Sequence, residues 1–178
     1  MVVISYRPNQ LIFPKEVYPD ANFLISFYVQ KHQWHNKAST LLTELVSKNV
    51  EINISLLTMD EALYTLMYIF YEDKKGKGSW KKDNPLKKNP KICVQFHPEL
   101  DKFVKKLWKL PGIKFIDIPK PAFDILCGLL SNMSNEYLGP RDAFHLAIIK
   151  ELGLNMILTN DSDFDKVNDN SIRVLHFW

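Results

Sequence analysis

The sequence predicts an α/β fold: one doubly wound domain whose central parallel sheet of about five strands is flanked by helices. Short apolar runs alternate along the chain with longer segments whose apolar residues recur at helical spacing. Some of the short runs are apolar almost throughout, which is typical of parallel strands covered on both faces. The length of 178 residues suits a single domain with a sizeable core.

The first part of the chain predicts two strands and three helices. Residues 1–14 contain a short apolar stretch and two prolines, which indicates an extended arm, and we treat residues 1–16 as an N-terminal extension. Strands are assigned to short apolar or alternating runs, and helices to apolar residues three and four positions apart. The predicted elements are a strand at Glu16–Pro19, helices at Ala21–Val29 and His32–Ser47, a strand at Glu51–Leu57 and a helix at about Thr58–Tyr71.

A lysine-rich insert follows at Asp73–Lys91. It contains eight lysines against two acids, together with two glycines, two prolines and Trp80. Glycine and proline punctuate a chain, and a run of like charges is typically solvated. We therefore predict a surface loop, partly disordered, at this insert.

The second part of the chain predicts three helices and three strands. The helix at about Pro140–Leu152 precedes Gly153, a residue suited to a helix C-terminus. The other predicted elements are a helix at Pro98–Lys109, a strand at Ile113–Ile118, a helix at about Pro121–Asn132, and strands at Asn155–Leu158 and Ile172–His176.

Four acidic residues stand where these elements meet. Asp20 and Asp161 each follow a predicted strand, and Glu61 and Asp142 each lie near the start of a predicted helix. In open α/β folds, ligands bind beyond the carboxyl ends of the strands. Four carboxylates gathered there would repel one another unless a cation joined them. Because Mg²⁺ prefers hard oxygen ligands, the pattern predicts a Mg²⁺ or Mn²⁺ site.

Each acid also has a structural explanation. Asp20 and Asp142 suit helix starts, where side-chain capping and the helix dipole favour acids. Thr58-x-x-Glu61 has the form of a capping box, whereas a helix that starts at Ser55 would leave Glu61 almost two turns inside and free for other work. Capping does not require all four acids to converge on one sheet edge, so their conjunction favours a functional site.

The composition excludes several classes of protein. A hydrophobic content of 46% and a charged content of 24% are typical of a globular protein, and a net charge of +3 is too small to indicate a nucleic-acid partner by itself. Cys93 and Cys127 fit neither a metal-binding spacing nor a disulfide framework. We find no apolar run long enough to span a bilayer and no secretory signal, so we expect a cytoplasmic protein without a membrane partner.

Four motifs point to a known family. P-D-A-N-F-L-I-S, T-M-D-E-A-L, P-R-D-A-F-H-L-A-I and I-L-T-N-D-S-D-F closely resemble the acidic motifs of PIN-domain ribonucleases, and within that superfamily the VapC-type toxins of toxin–antitoxin pairs. The resemblance runs from about Val17 to the C-terminus. The N-terminal extension and the lysine-rich insert are departures from the usual pattern.

The resemblance implies a PIN-like fold and a Mg²⁺- or Mn²⁺-dependent endoribonuclease. It also implies homodimerisation and, for a toxin, a cognate antitoxin that covers the acidic cleft. By this resemblance the metal-binding and catalytic residues are Asp20, Glu61, Asp142 and Asp161, and the supporting residues are Asn22, Thr159 and Asp163. His145 is interpreted as a packed or partner-facing residue.

RNA contacts are predicted from residue type. Clustered Lys and Arg neutralise phosphates, and an aromatic ring stacks on an unpaired base. The candidates are Arg141 beside Asp142, and Lys81, Lys82 and Trp80 in the insert. A loop that only aids solubility is the alternative for the insert.

Other functions remain to be compared with the nuclease. A PIN-like module that processes or only binds RNA, without being a toxin, is the main alternative. A phosphoryl-accepting receiver requires adjacent acids after its first strand, and a haloacid-dehalogenase phosphatase requires D-x-D there, whereas the sequence has Asp20-Ala21-Asn22. The chain also lacks a P-loop motif.

Overall fold

Six strands form one parallel sheet in the computed structural model, which describes residues 1–89, 91–117 and 122–178. The strands are β1 (Val2–Ser5), β2 (Glu16–Pro19), β3 (Glu51–Ser55), β4 (Ile113–Ile116), β5 (Met156–Leu158) and β6 (Arg173–His176). Their order across the sheet is β1-β6-β5-β2-β3-β4, and every pairing is parallel. The predicted α/β class and parallel sheet are confirmed.

Helices cover both faces of this sheet. They are α1 (Ala21–Tyr28), α2 (His35–Ser47), α3 (Leu56–Lys75), α4 (Ser79–Asp83), α5 (Pro85–Lys88), α6 (Ile92–Trp108), α7 (Ala122–Asn135) and α8 (Pro140–Glu151), with a 3₁₀ helix at Ser162–Lys166. Successive strand residues point to opposite faces. Val17 accordingly packs with α1, α2, α3 and α6, whereas its neighbour Tyr18 packs with α8.

The central position of β2 determines where Asp20 lies. β2 pairs with β3 on one side and β5 on the other, so it is the middle strand of the five that the sequence predicts. The backbone N–H of Asp20 continues the pairing by donating to the carbonyl of Leu158, at 3.0 Å. Asp20 therefore leaves the carboxyl edge of the sheet at its centre, where α/β proteins bind ligands.

The predicted N-terminal arm is instead an edge strand. β1 pairs in register with β6, from Val2 opposite Arg173 to Ser5 opposite His176. Tyr6, just beyond β1, is buried, and its hydroxyl donates to Glu44 on α2 at 2.8 Å. The prediction of an arm was wrong for Val2–Ser5, because pairing with β6 satisfies the backbone of this short segment. Residues 6–15 contain neither helix nor strand.

The start of α3 decides between the two interpretations of Glu61. Ser55 is the N-cap, and its side-chain oxygen accepts a hydrogen bond from the Thr58 N–H at 3.1 Å. Glu61 is the sixth residue of the helix and does not form a capping box with Thr58. Its carboxylate is therefore available for contacts outside the backbone.

The described part of the lysine-rich insert contains the end of α3 and the short helices α4 and α5, joined by turns, so the prediction of a loop was wrong for these segments. Trp80 on α4 packs edge-to-face against Tyr71 of α3, with ring centroids 5.6 Å apart. The Tyr71 hydroxyl donates to Asp83 at 2.6 Å. The Glu72 carboxylate accepts the Trp80 backbone N–H at 2.7 Å and also that of Gly78. These local contacts order α4 in spite of its charge.

The remaining helix boundaries differ slightly from the predicted ones. α6 begins at Ile92 rather than Pro98, because Ile92 and Phe96 are buried against Tyr71, near the C-terminal end of α3. Gly153 adopts φ +65° just after α8, as its predicted role at the helix end requires. The predicted ends at Ile118 and Pro121 lie outside the described residues.

The structure also bears on the membrane question. Within residues 1–89, 91–117 and 122–178, no helix combines the length and the hydrophobicity needed to cross a bilayer.

Candidate functional site

Asp20 occupies the centre of the site. It is the N-cap of α1, and its Oδ1 accepts the Ala21 backbone N–H. Its side chain is buried, and this burial raises the pKa of the carboxyl group above its ordinary value, although His145 and a hydrogen bond from Thr159 act in the opposite direction. The cap explains the position of Asp20, but not why a buried carboxylate also faces further acids.

Thr159 and Asn22 hold the second oxygen of Asp20. The Thr159 hydroxyl donates to Asp20 Oδ2 at 2.9 Å, and the Asn22 amide donates to the same oxygen. Asn22 Nδ2 also lies 2.9 Å from Thr159 Oγ1, which in turn accepts the Asp161 N–H at 2.9 Å. The structure therefore brings together Asp20 and two residues that the sequence predicted as supports.

Glu61 approaches Asp20 from α3. Its Oε2 lies 2.9 Å from His145 Nε2, and its Oε1 lies 3.6 Å from Arg141 Nε. His145 is buried, and its Nδ1 lies 2.6 Å from the Tyr18 hydroxyl. The sequence predicted that His145 is packed or faces a partner, but it did not predict the contact with Glu61.

Burial and repulsion between carboxylates raise the pKa of Asp142. Asp142 lies in the first turn of α8 and is half-buried. Burial, followed by the charges of Asp161 and Asp20, raises its pKa from 3.8 to about 6. Asp142 is therefore close enough to these acids to sense their charge.

Asp161 and Asp163 form the rim of the site. Asp161 is the N-cap of the 3₁₀ helix, and its Oδ1 accepts the Asp163 N–H at 2.9 Å. Asp163 forms an ion pair with Lys166 at 2.5 Å. Asp163 therefore sits further out and is already partly neutralised.

The donor set suits a hard divalent cation. Among the described residues, one atom each of Asp20, Glu61 and His145 lie within 4.8 Å of one another. His145 Nε2 is already engaged with Glu61, so oxygen remains the principal donor, as Mg²⁺ and Mn²⁺ prefer. Burial is the main cause of the raised pKa of Asp142, and repulsion by Asp161 and Asp20 adds to it; a cation would relieve that repulsion.

The predicted RNA contacts fall into two places. Arg141 is beside the acids, with its side chain 66% exposed. Lys81, Lys82 and Trp80 lie on α4, beyond the acid cluster. Both lysines are exposed, whereas Trp80 is half-buried among tyrosines of α3.

The comparisons with known proteins agree on the fold. The PIN domain family matches residues 17–170. No curated protein matches the chain. Among solved structures, VapBC2 from Rickettsia felis bound to a DNA fragment from their promoter aligns with a TM-score of 0.59 and 14% identity, covering 92% of this chain and 99% of that one.

Two further structures align similarly. The Mycobacterium tuberculosis toxin VapC20, described as cleaving the sarcin–ricin loop, has a TM-score of 0.57 and 12% identity, covering 88% of this chain and 98% of that one. FitAcB from Neisseria gonorrhoeae has a TM-score of 0.57 and 14% identity, covering 91% and 98%. At these identities the structural alignments establish a shared fold.

Proposed function

Because the chain belongs to the PIN domain family, a family of nucleases, we propose that it is a Mg²⁺- or Mn²⁺-dependent endoribonuclease. The observation that carries the proposal is the acidic cluster at the carboxyl edge of the central strand, where Asp20 and Glu61 converge and where burial, followed by the charges of Asp161 and Asp20, raises the pKa of Asp142. The site residues are proposed to be Asp20, Glu61, Asp142 and Asp161.

The four acids are proposed to hold the cation together. When bound, one or two divalent ions supply an activated water and neutralise charge on the leaving oxygen. Asp20 is the central ligand, because Thr159 and Asn22 orient its carboxylate from behind. Asp142 and Asp161 complete the oxygen ligands, and Asp163 participates from the rim.

Glu61 has a different role because two neighbours hold it. His145 contacts one of its oxygens, and Arg141 lies near the other. A carboxylate fixed in this way can bind the ion or accept a hydrogen bond from the attacking water. Arg141 is largely exposed and is proposed to contact a substrate phosphate next to the acids.

The RNA is proposed to run along α3 towards the insert. Glu61, Tyr64 and Tyr68 lie on one side of this helix, since they are three and four residues apart. Tyr64 and Tyr68 are 44% and 41% exposed, and both contact Trp80 edge-to-face. Lys81 and Lys82 follow Trp80, so the surface offers aromatic side chains and positive charge to a single strand.

We propose that the protein is the toxin of a toxin–antitoxin pair in the cytoplasm. The similar structures include a VapBC complex and a toxin named as cleaving the sarcin–ricin loop, which supports this subgroup. A C-terminal segment of the antitoxin would cover the acidic cleft and place an Arg or Lys among the carboxylates. The protein itself would form a homodimer, for which the exposed Trp108 is one candidate contact.

The first test is cleavage of total RNA by the purified protein with Mg²⁺, Mn²⁺ or EDTA. Asp20→Asn should abolish cleavage, because the amide removes the charge that holds the cation. The fold should persist, since Asn also caps helices and burial already disfavours the charged form of Asp20.

Asp60→Asn is the matched control, because Asp60 is an exposed acid on the same helix as Glu61. It should retain wild-type cleavage. Discrete RNA fragments that require the metal and Asp20 would support the nuclease. RNA binding without cleavage in any metal would favour the alternative, a non-toxin module that binds RNA.

A further inference from the structure

A cavity of about 360 Å³ opens beside the acidic cluster. Its wall is formed by α1, by the turn between α1 and α2, and by the loop after β5, and its volume lies in the range of small-molecule sites. Asn22 and Asp161 line it and belong to the proposed reaction site as well. A group bound in this cavity would therefore lie next to the bond that is cut.

Two polar side chains that line the cavity have an atom without a partner. Ser26 on α1 is only 1% exposed, and its Oγ forms no hydrogen bond within the described residues. The same is true of the buried Nδ2 of Asn160. An unpaired buried donor is costly, and a ligand that supplies an acceptor removes this cost.

The orientation of the Asn160 amide is fixed by the backbone. Its Oδ1 accepts the Phe177 N–H at 2.8 Å, and an N–H cannot be paired with the NH₂ side of the amide. The Asn160 backbone N–H is itself held by Asn22 Oδ1 at 3.1 Å. The Asn160 Oδ1 is therefore held by the Phe177 N–H, and its Nδ2 is the atom left to donate to an incoming group.

The charge of the cavity argues against a phosphate. Its lining includes neither Lys nor Arg, and it does include the carboxylate of Asp161. Burial, together with the neighbouring His35, lowers the pKa of His32, which keeps this ring neutral at physiological pH. What remains is a polar cavity that has the Asp161 carboxylate at one side and the rings of Trp34 and His32 in its wall, and such rings suit a planar heterocycle.

We propose that this cavity is a nucleobase subsite that favours bases with carbonyl oxygens, uracil above adenine. The proposal rests on the proposed ribonuclease function, and it adds a recognition site that the acidic cluster does not provide. Asn160 Nδ2 donates to a base carbonyl, and Ser26 Oγ provides a second polar contact. Uracil presents two carbonyl oxygens. The adenine acceptors N1 and N7 each have the exocyclic amino donor beside them, and the Asn160 Nδ2 donor cannot accept from that amino group.

The test is a titration of the ¹⁵N-labelled full-length protein with uridine, adenosine and ribose, followed by the side-chain amide resonances of Asn160. These resonances are assigned by their absence in Asn160→Asp. We expect uridine to shift them with at least three-fold higher affinity than adenosine, and ribose to leave them unchanged. Equal affinity for adenosine, an equal effect of ribose, or no response to uridine overturns the proposal.

Two variants separate recognition from folding. Asn160→Asp keeps an oxygen for the Phe177 N–H but loses both donors, so the preference for uridine should disappear in it. Ser26→Ala removes an unpartnered hydroxyl, so its melting temperature should not fall, while its affinity for uridine should fall several-fold. Asn155→Asp, an exposed change at the opposite end of β5, is the control and should keep wild-type binding. A uridine preference that survives in Asn160→Asp contradicts the proposal.

This titration does not require catalysis, so the two proposals can fail separately. RNA cleavage with no uridine response leaves the nuclease and removes the subsite. Uridine binding at Asn160 with no RNA cleavage in any metal leaves a base-binding site and removes the nuclease.

Discussion

At the scale of single residues, the orientation of Glu61 depends on a buried histidine. Burial raises the pKa of Tyr18 far above its ordinary value, so its phenol stays protonated. Tyr18 can then donate to His145 Nδ1, which leaves the Nε2–H of His145 to donate to Glu61. This chain runs from the core to the acidic cluster and fixes the position of one carboxylate oxygen.

His145→Phe is expected to lower the single-turnover rate of RNA cleavage at least ten-fold. The phenyl ring fills the same space but gives Glu61 no donor, so the carboxylate loses its fixed position. The variant should also lose about 0.5–1.5 kcal/mol of unfolding free energy, because the buried Tyr18 hydroxyl loses its hydrogen bond with His145 while it keeps those with Ser55 and Thr58. Cleavage kinetics and urea unfolding measure the two effects.

His145→Gln is the informative partner of this variant. Its amide can still donate to Glu61, so it should retain more of the cleavage rate than His145→Phe. Wild-type cleavage by His145→Phe would show that Glu61 needs no support from the histidine.

Asp142→Asn is expected to stabilise the metal-free protein. Folding raises the pKa of Asp142 from 3.8 to about 6, chiefly through burial and then through the charges of Asp161 and Asp20. A folded-state pKa above the unfolded value means that ionisation at neutral pH disfavours folding. Because Asp142 is only half-buried, solvent screening reduces the gain from its neutralisation to about 1 kcal/mol.

The stability difference between Asp142→Asn and the wild type should depend on pH. Well below pH 3.8 the carboxyl group is protonated in both states, so Asp142→Asn and the wild type should have similar stabilities. The advantage of the variant should grow as the pH rises through about 6 and then level off. Urea unfolding in EDTA at several pH values measures it, with Asp60→Asn as the control. A variant that is less stable than wild type at pH 7.5 would contradict the argument.

At the scale of elements, α3 joins the acidic cluster to the basic insert. Its N-terminal half carries Glu61, and its C-terminal half carries the tyrosines against which Trp80 packs. α4 is too short to be stable as an isolated helix, and it is ordered by that packing and by the cap from Glu72. The insert is therefore a fixed extension of α3 that holds its lysines on a defined surface.

Lys81→Gln combined with Lys82→Gln is expected to weaken RNA binding and its dependence on salt. Each phosphate contact to a single strand contributes about 0.7 to the slope of log K against log salt, so the slope should fall by about 1.4. Both lysines are exposed, so the fold should be unaffected. Binding of a single-stranded RNA at several salt concentrations, with catalytically inactive Asp20→Asn as the background, measures the slope.

Lys102→Gln combined with Lys109→Gln provides the control, because these lysines are exposed on or just after α6 rather than in the insert. Its salt slope should equal that of the background. If both pairs lower the slope equally, the insert has no special part in RNA binding and the solvated-surface interpretation is preferred.

At the scale of the whole molecule, the sequence predicted the sheet and the individual acids better than the contacts between residues far apart in the chain. Strands and helices were recognisable because the spacing of their apolar residues reflects which sides of each element are buried. β1 was missed because Val2–Ser5 becomes a strand only through its distant partner β6. The helical insert was missed for the same reason: its order comes from tyrosines of α3, and composition reports only its charge.

The candidate site was likewise predictable only where local motifs indicate it. The acids stand in recognisable local motifs, so their positions at strand and helix ends could be predicted. The contact between Glu61 and His145 joins residues 84 positions apart, and no local pattern indicates it. Only the spacing of Asp142 and His145, one helical turn apart, offered a signal that the histidine faces the site.

Binding of Mg²⁺ is expected to raise the stability of the whole fold. A ligand that binds only the folded state stabilises it by mass action, by about 1.4 kcal/mol when its concentration is ten times its dissociation constant. The cation would also relieve the repulsion at Asp142. Calorimetry at increasing Mg²⁺ should therefore show a rising melting temperature. The same rise in Asp20→Asn would place the ion elsewhere.

The rigidity of α3 has a consequence for the length of the substrate. Glu61 and Tyr68 are seven residues apart on one continuous helix, which corresponds to about 10 Å along its axis. Since Trp80 packs against Tyr68 and its neighbours Tyr64 and Tyr71, the proposed cutting point and anchoring point have a constant separation. An RNA held at both points must supply an unpaired stretch that spans this gap. The fixed length of the helix would thus exclude RNA loops whose unpaired stretch is too short to span the gap, whatever their sequence.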